Sequence, residues 1–493
     1  MNDITNRDFL KWLPSRAFGT AVFGADGSLR RVIVPALWLM IFAMPPATSA
    51  EKSPPELSHN IDTLFADYDR GDAPGCAVSI YRDGEAIASG FYGSADLDYH
   101  IPLDHNSRFY MTTLAHQVTA AAAVRLMVRG ELDIDARVSR YLEDWPEWAD
   151  RVRIRHLLQH TSGLPELYDL MDIAGVSVND VMSLEEYVAL IKRGKPLKFS
   201  PGSERQITNS GFTVLAYVVE TIAGKPFAEY AGEHILGPLG MTSTHFHDDR
   251  YRIIPGRVIS YEPRDENGGE QEVVTSFRRT YPGNYQGVGH GGLYATMADW
   301  GRWEAFRIEP PGGVADSTEQ ELFLEIHRLM SEQSVVGEDT VSNGFAHHHD
   351  YWHGQKREHQ SGQFHGFQAD LRRYPEHGVS TLVLCNRADA DPAEKSRALA
   401  RLVIRDSLEA YLQQYAGVYH NDELEVDYRL TVEDGALVLG RRLDPKGVMT
   451  EDAPGKWSAD SWEFVFLRDD ATGEVTGFLV SAGRAKEVEF LKK

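Results

Sequence analysis

Six histidines fall in one short stretch: His347, His348, His349, His353, His359 and His365. Imidazole nitrogens are common ligands of zinc and copper, so metal binding is one chemistry open to this segment. His349 and His353, four residues apart, share a face only if the segment is helical. A solvated polar loop would carry the same residues without a ligand, and the sequence leaves both readings open.

The elements that would position such groups follow from pattern and turn residues. Residues 61–68 read as a short amphipathic helix. The apolar run 76–81 reads as a strand, Asp83-Gly84 as a hairpin turn and 85–92 as the return strand. The alanine-rich run 114–127 predicts a buried helix that stops at Gly130, and 211–223 predicts a second, ended by Gly224. Residues 367–374 and 380–385 form another strand pair, broken at 375–378. Helices between an N-terminal and a C-terminal set of strands point to an α/β or α+β domain whose sheet joins both chain ends. After about Leu408 the segments 415–419, 426–432, 436–439, 461–468, 475–481 and 487–491 alternate at period two, with turns at Asp434-Gly435 and Thr472-Gly473. That pattern reads as a small antiparallel β-domain or barrel. The stretches 263–272 and 310–320 are polar or rich in proline and glycine, as surface insertions are.

Several blocks occur in a fixed order: Arg155-His-Leu-Leu-Gln-His-Thr-Ser-Gly-Leu164, Pro201-Gly202, Asn209-Ser-Gly-Phe212, Gly224-Lys-Pro-Phe227 and Pro238-Leu-Gly-Met241. Gly291-Gly-Leu-Tyr-Ala-Thr296 with Asp299 and Trp303 follows, then Gly366-Phe367 and Leu384-Cys-Asn386. In order and spacing they resemble the serine β-lactamase and penicillin-binding-protein-like hydrolases, a family that includes esterases and D-aminopeptidases. The resemblance covers roughly residues 60–400. It implies a β-lactamase/transpeptidase-like domain at 51–407, an antiparallel sheet flanked by helices. The C-terminal β-domain, 408–493, is similar to one often appended to these hydrolases.

The family's reaction uses serine and lysine as Ser-x-x-Lys at the start of a helix. The lysine activates the hydroxyl, and the helix start favours developing negative charge. Anchored on Arg108-Phe109 and Gln117-Val-Thr-Ala120, the matching segment is Thr113-Leu-Ala-His116. Threonine is a crowded nucleophile, and a neutral histidine is a base with a shorter arm. In a second reading Thr113 caps the helix and His116 lines a vacated pocket. The family's tyrosine relay, two residues before an asparagine, corresponds to Ile207, with Asn209 kept. Its strand motif, Lys-Thr-Gly or His-x-Gly, offers a cation to a substrate carboxylate and an N–H to the oxyanion. The gapless match is Gln360-Ser361-Gly362, with Gln360 neutral. His359 would match only with a one-residue slip, which turns a strand side chain to the other face. Ser162, Ser203, Ser210 and Ser361 lie near these motifs, and none has a lysine at i+3.

Nucleophile, relay and cation are thus altered together. The resemblance implies a protein impaired or inactive in acyl-serine chemistry that binds a small peptide-like or acyl ligand in the old cleft. One alternative is an active hydrolase of esters, amides or D-amino peptides, with Thr113 as nucleophile, His116 as base, and the N–H groups of Thr113 and Gly362 as oxyanion hole. Another is metal binding through His347–His365. No cofactor is implied. In the family sheet the first and last strands are antiparallel neighbours, which would let Cys76 and Cys385 approach. A disulfide and two buried thiols are the two outcomes.

The chain has 493 residues, 42% hydrophobic and 25% charged, with a formal charge of −23. That length suits two or three globular domains, and two cysteines are too few for a disulfide framework. The acidic balance argues against a nucleic-acid partner, which would meet a basic face. Arg30-Arg31, an apolar run over 32–44 and the small residues Ala47-Thr48-Ser49-Ala50 have the order of an export signal. Residues 1–50 are therefore expected to be removed, leaving a periplasmic or secreted chain starting near Glu51, or to stay as a membrane tether.

Overall fold

In the computed structural model, the residues described are 55–264, 276–280, 287–308, 317–332, 334–335, 342–433, 435–441 and 444–493. Strands β1 (Cys76–Arg82) and β2 (Glu85–Tyr92) pair across Asp83-Gly84. Both turn residues have positive φ, +50° and +82°, which matches the twist of a two-residue hairpin. All of β1 but Arg82 is buried, as befits a central strand. Six further strands complete the sheet: β3 (Ser334–Val335), β4 (Ser342–Asn343), β5 (His348–Trp352), β6 (Gln355–Phe364), β7 (Phe367–Tyr374) and β8 (Val379–Cys385). The order is β3-β4-β5-β6-β7-β8-β1-β2, antiparallel throughout, so the first and last strands of the domain lie side by side. Cys76 faces Cys385 in that register and the two form a disulfide, with Cα atoms 4.1 Å apart.

Alternation divides the sheet's residues between two layers. Val78, Ile80, Val379 and Val383 pack against helices α1 (Pro55–Phe65) and α6 (Pro392–Val403). Ala77, Tyr81, Ala369, Leu371, Leu382 and Leu384 join the larger core built around α2 (Ala115–Val128), α4 (Asn209–Ala223) and α5 (Met297–Ile308). Helix α2 is buried all round from Ala115 to Leu126. Its alanines leave room for neighbouring helices on every side. Helix α4 starts at Thr208, whose Oγ1 accepts from the Ser210 N–H, and ends at Gly224 in the left-handed conformation, φ +64°. The short helix α3 (Ile154–Leu158) precedes it.

Helix α7 (Arg405–Gln413) spans the 407/408 position and leads into nine antiparallel strands. In chain order these are β9 (Gly417–Asn421), β10 (Val426–Glu433), β11 (Ala436–Arg441), β12 (Asp444–Val448), β13 (Thr450–Ala453), β14 (Lys456–Ala459), β15 (Trp462–Arg468), β16 (Val475–Ala482) and β17 (Ala485–Lys492). The two edge strands, β12 and β13, are consecutive in the chain, separated only by Met449, so the sheet nearly closes on itself. Phe464, Phe466, Phe478 and Phe490 fill it.

This β-domain meets the larger one at the turn between β5 and β6. The His353 N–H donates to Glu451 Oε2 at 2.9 Å, and Tyr411 donates to the other oxygen of that carboxylate. Gly354, at φ +70°, lets the turn press against the Tyr411 ring. Eight residues of strand separate Gly354 from Gly362, about 26 Å at 3.3 Å each. The contact therefore lies at the opposite end of β6 from the candidate site.

Among the described residues no helix is long and apolar enough to cross a membrane. The expected export segment, 1–50, lies outside the described residues, as do parts of 263–272 and 310–320.

Candidate active site

Thr113 sits in one turn of 3-10 helix, Thr112–Leu114, directly ahead of α2. Thr112 has φ +50°, a strained conformation for a β-branched residue, and its buried Oγ1 has no hydrogen-bond partner among the described residues. Strand β6 closes on this turn. A Cβ on Gly362 would stand 2.9 Å from Thr113 N and closer still to both threonine hydroxyls, so only glycine lets the strand approach. The Thr113 hydroxyl donates to the Ser361 carbonyl at 2.9 Å. Gln360 Nε2 donates to the Thr113 carbonyl at 2.7 Å.

Gln360 is 5% exposed and faces inward. Its Oε1 accepts from Gln117 Nε2 at 2.7 Å. Gln117 Oε1 in turn accepts from Trp303 Nε1 at 3.0 Å and Arg373 Nη2 at 2.8 Å. Arg373 forms a two-pronged pair with Glu304, both contacts 2.7 Å, and the Glu304 side chain is fully buried. The residue matched to the family's cation therefore clamps the Thr113 turn to a buried ion pair instead of presenting a side chain to the cleft.

His116 is fully buried and stacked on Phe212, ring centres 4.1 Å apart. Neither of its nitrogens makes a well-aligned hydrogen bond among the described residues. Burial pushes its pKa down to about 3, against weaker opposition from the His290 backbone and the Asn209 side chain. Burial likewise pushes His290 down to about 3 and His160 well below its ordinary value. A base so weak is poorly matched to deprotonating a hydroxyl near neutral pH.

These three histidines make the fold acid-labile. Each keeps a lowered pKa when folded and returns to about 6.5 when unfolded. Their contribution is complete above pH 6.5 and is lost as pH falls from there toward 3. Together they should make stability fall as pH drops below 6.5, because the unfolded chain then binds protons that the buried rings do not. Urea midpoints at pH 7, 6 and 5 measure this, and His116→Phe should flatten the slope; equal slopes in both proteins refute the assignment.

Asn209 opens α4. Its N–H and Nδ2 donate to the two oxygens of Glu166, at 2.8 and 2.7 Å. A carboxylate thus occupies the helix start, where the dipole favours it. Ile207 is 50% exposed and has no group that titrates. His359 and Ser361 lie on the other face of β6 from Gln360. His359 Nε2 is 3.3 Å from Asp350, and its ring is 5.2 Å from that of His348, which Arg205 also contacts. Ser361 Oγ donates to Asp370 at 2.6 Å.

The histidine segment is strand and turn, so His349 and His353 share no helical face. His347, His349 and Glu358 do converge, each offering an atom within 4.8 Å of the others. Arg307 Nη2 stands between them, 3.4 Å from His347 Nε2 and 3.3 Å from Glu358 Oε2, with Arg373 3.7 Å from the same carboxylate. Burial works to raise the Glu358 carboxyl, but His347, Arg307, Arg373 and His349 together hold it below the usual range. The Arg307 guanidinium therefore contacts two of the three candidate ligands, His347 and Glu358, and its positive charge opposes a cation there. His348 and His359 belong to the opposite face, His353 to the β-domain contact, and His365 lies beside Phe364.

Sequence reasoning brought Thr113, His116, Asn209, Gln360 and Gly362 to one place. It passed over Gln117, His160, Glu166, His290, Glu304 and Arg373. Gln117 directly follows His116 and His160 lies within the segment 155–164, whereas Glu304 and Arg373 lie 69 residues apart with no motif to join them.

A family model described as Beta-lactamase matches residues 61–405. A D-aminopeptidase of Cereibacter sphaeroides is 25% identical over 328 residues, 66% of this chain and 59% of that protein. The match thus spans about three fifths of that relative's length. A D-aminopeptidase of Brucella anthropi is 22% identical over 521 residues, covering 85% of this chain and 95% of its own. An esterase of Burkholderia gladioli is 30% identical over 301 residues, 55% of this chain and 73% of that protein. Among solved structures, an octameric penicillin-binding protein homologue from Pyrococcus abyssi superposes with a TM-score of 0.58 at 18% identity, covering 89% of this chain and 99% of that one. A D-amino acid amidase from Ochrobactrum anthropi SV3 gives 0.56 at 18% identity, covering 71% and 99%. At these identities the likeness to solved structures concerns the fold: a β-lactamase/transpeptidase-like domain with an added C-terminal β-domain.

Proposed function

The chain belongs to the beta-lactamase family, and we propose on that premise that it binds a peptide-like or acyl ligand beside Thr113 and is impaired in, or without, the acyl transfer of its hydrolase relatives. One observation carries this reading. The Thr113 hydroxyl spends its proton on the Ser361 carbonyl, while His116 is buried against Phe212 with its pKa down at about 3. Nucleophilic catalysis needs a base within hydrogen-bond reach of the hydroxyl and protonatable near the working pH. Ile207 adds no proton for a leaving group. Binding is supported by β6, whose residues 360–364 run past the last pair with β5, His348↔His359. That edge suits an extended peptide-like ligand.

The rival reading, a hydrolase using Thr113 and His116, predicts a covalent intermediate. Incubation with a fluorescent penicillin and a panel of activated esters, followed by intact-mass measurement, separates the two. We expect no stoichiometric adduct. An adduct on Thr113 that disappears in Thr113→Ala overturns the impaired reading. Metal binding at His347, His349 and Glu358 is disfavoured by Arg307 at that point. An exported location belongs to the same proposal, and the buried Cys76–Cys385 disulfide supports an oxidising compartment.

A further inference from the structure

On a chain of net charge −23, three arginines converge on one concavity. It has a volume of about 360 Å³ and is lined by Arg137, Arg151, Arg153, His156, Ser200 and Pro201. That size lies at the lower end of small-molecule sites. The pocket is distinct from the Thr113 cleft; none of its lining residues takes part in the hydrogen bonds described there.

The chemistry of the lining is one-sided. Arg137 is paired with Asp150, and Arg155 just outside the lining is paired with Asp135 at 2.6 Å. Arg153 donates to the Asp135 backbone carbonyl, and its charge acts on the Asp135 carboxylate that Arg155 pairs. Arg151 makes no ion pair or hydrogen bond among the described residues and is exposed. His156 Nδ1 accepts from the Arg153 N–H at 3.1 Å, so the ring carries its proton on Nε2. Burial, then Arg153 and Arg155, push its pKa down to about 4, which keeps the ring a neutral donor near pH 7. Three arginines, a histidine and a serine thus line the same space. Guanidinium groups match the paired oxygens of phosphate better than any other side chain does. A cationic concavity on an acidic molecule also focuses anions locally.

We propose that this pocket binds a phosphate-type oxyanion, with Arg151 and Arg153 as its principal contacts. The phosphate could come from a free small molecule or from a lipid headgroup, and one experiment distinguishes the sources. Inorganic phosphate is titrated into the full chain by calorimetry at pH 7.5, with sodium chloride of equal ionic strength as control. In parallel the protein is floated with vesicles of phosphatidylglycerol or of phosphatidylcholine. The expected result is saturable binding of phosphate, weakened at least tenfold in Arg151→Ala and again in Arg151→Ala/Arg153→Ala. Flotation with phosphatidylglycerol alone, lost in the same variants, assigns a headgroup; phosphate binding without flotation assigns a free anion. Arg151 has no ion pair or hydrogen bond among the described residues, so Arg151→Ala keeps the test valid even if the double variant folds poorly. No heat beyond the chloride control together with no flotation, or binding undiminished in Arg151→Ala, overturns the proposal.

Discussion

Arg373→Met is expected to destabilise the protein by about 3–5 kcal/mol. Arg373 is buried in β7 and pairs with both oxygens of Glu304, itself without solvent contact, while also donating to Gln117. Removing one partner of a buried pair leaves the other charge uncompensated, a loss of about 3–5 kcal/mol. That is a large share of the roughly 5–15 kcal/mol by which a folded domain is stable. Gln117 Oε1 would also lose a donor, and through Gln360 the carbonyl of Thr113 would lose its anchor. The double variant Arg373→Met/Glu304→Leu should recover much of the loss, since apolar replacements of a buried pair are often tolerated. Urea unfolding at fixed m-value reads both effects. Wild-type stability in the single variant would show that the pair carries no weight.

The second large effect is a gain. Thr113→Ser/His116→Lys/Ile207→Tyr should acquire covalent labelling by activated esters, at least about 100-fold above the unmodified protein, the lower range for one effective acid–base group. Serine removes the crowding methyl, and a lysine desolvated at position 116 would have its pKa lowered toward neutrality. Tyrosine at the exposed position 207 restores a group able to pass a proton. Thr113→Ser alone should gain nothing measurable, because His116 remains stacked on Phe212. If the triple variant stays inert by intact mass, the block lies in the Gln360 clamp. If the unmodified chain labels as fast as the triple variant, the impaired reading falls.

The parts of the fold with local signals were legible from the residues. Asp83-Gly84, the alanine run of α2 and Gly224 each have one conformational solution, and the first-to-last strand pairing followed from the family likeness. Strands β12, β13 and β14 were not legible: Asp444-Pro445-Lys446-Gly447 and Thr450-Glu451-Asp452-Ala453 show no apolar alternation, and closure of the barrel orders them. Helix α7 was missed for a related reason, since it straddles a change in composition. In the site, spacing located Gln360 but not its direction. Alternation says that Gln360 and His359 point oppositely; it does not say which of them meets solvent. That was settled by Gln117 and Arg373, partners far away in sequence. The histidine stretch misled in the same way, because its repeat suggested a loop or a helix while pairing with β6 made it strand.

The disulfide has a further consequence for how the molecule can be damaged. Cys76 and Cys385 are 309 positions apart, and the interval between them holds Thr113, His116, Asn209 and all of β6. The cleft therefore lies within a covalent ring. A protease that severs one peptide bond in a surface stretch of that ring opens a loop but frees no fragment, since both pieces remain tied through the sulfurs. Only a second cut can release part of the cleft.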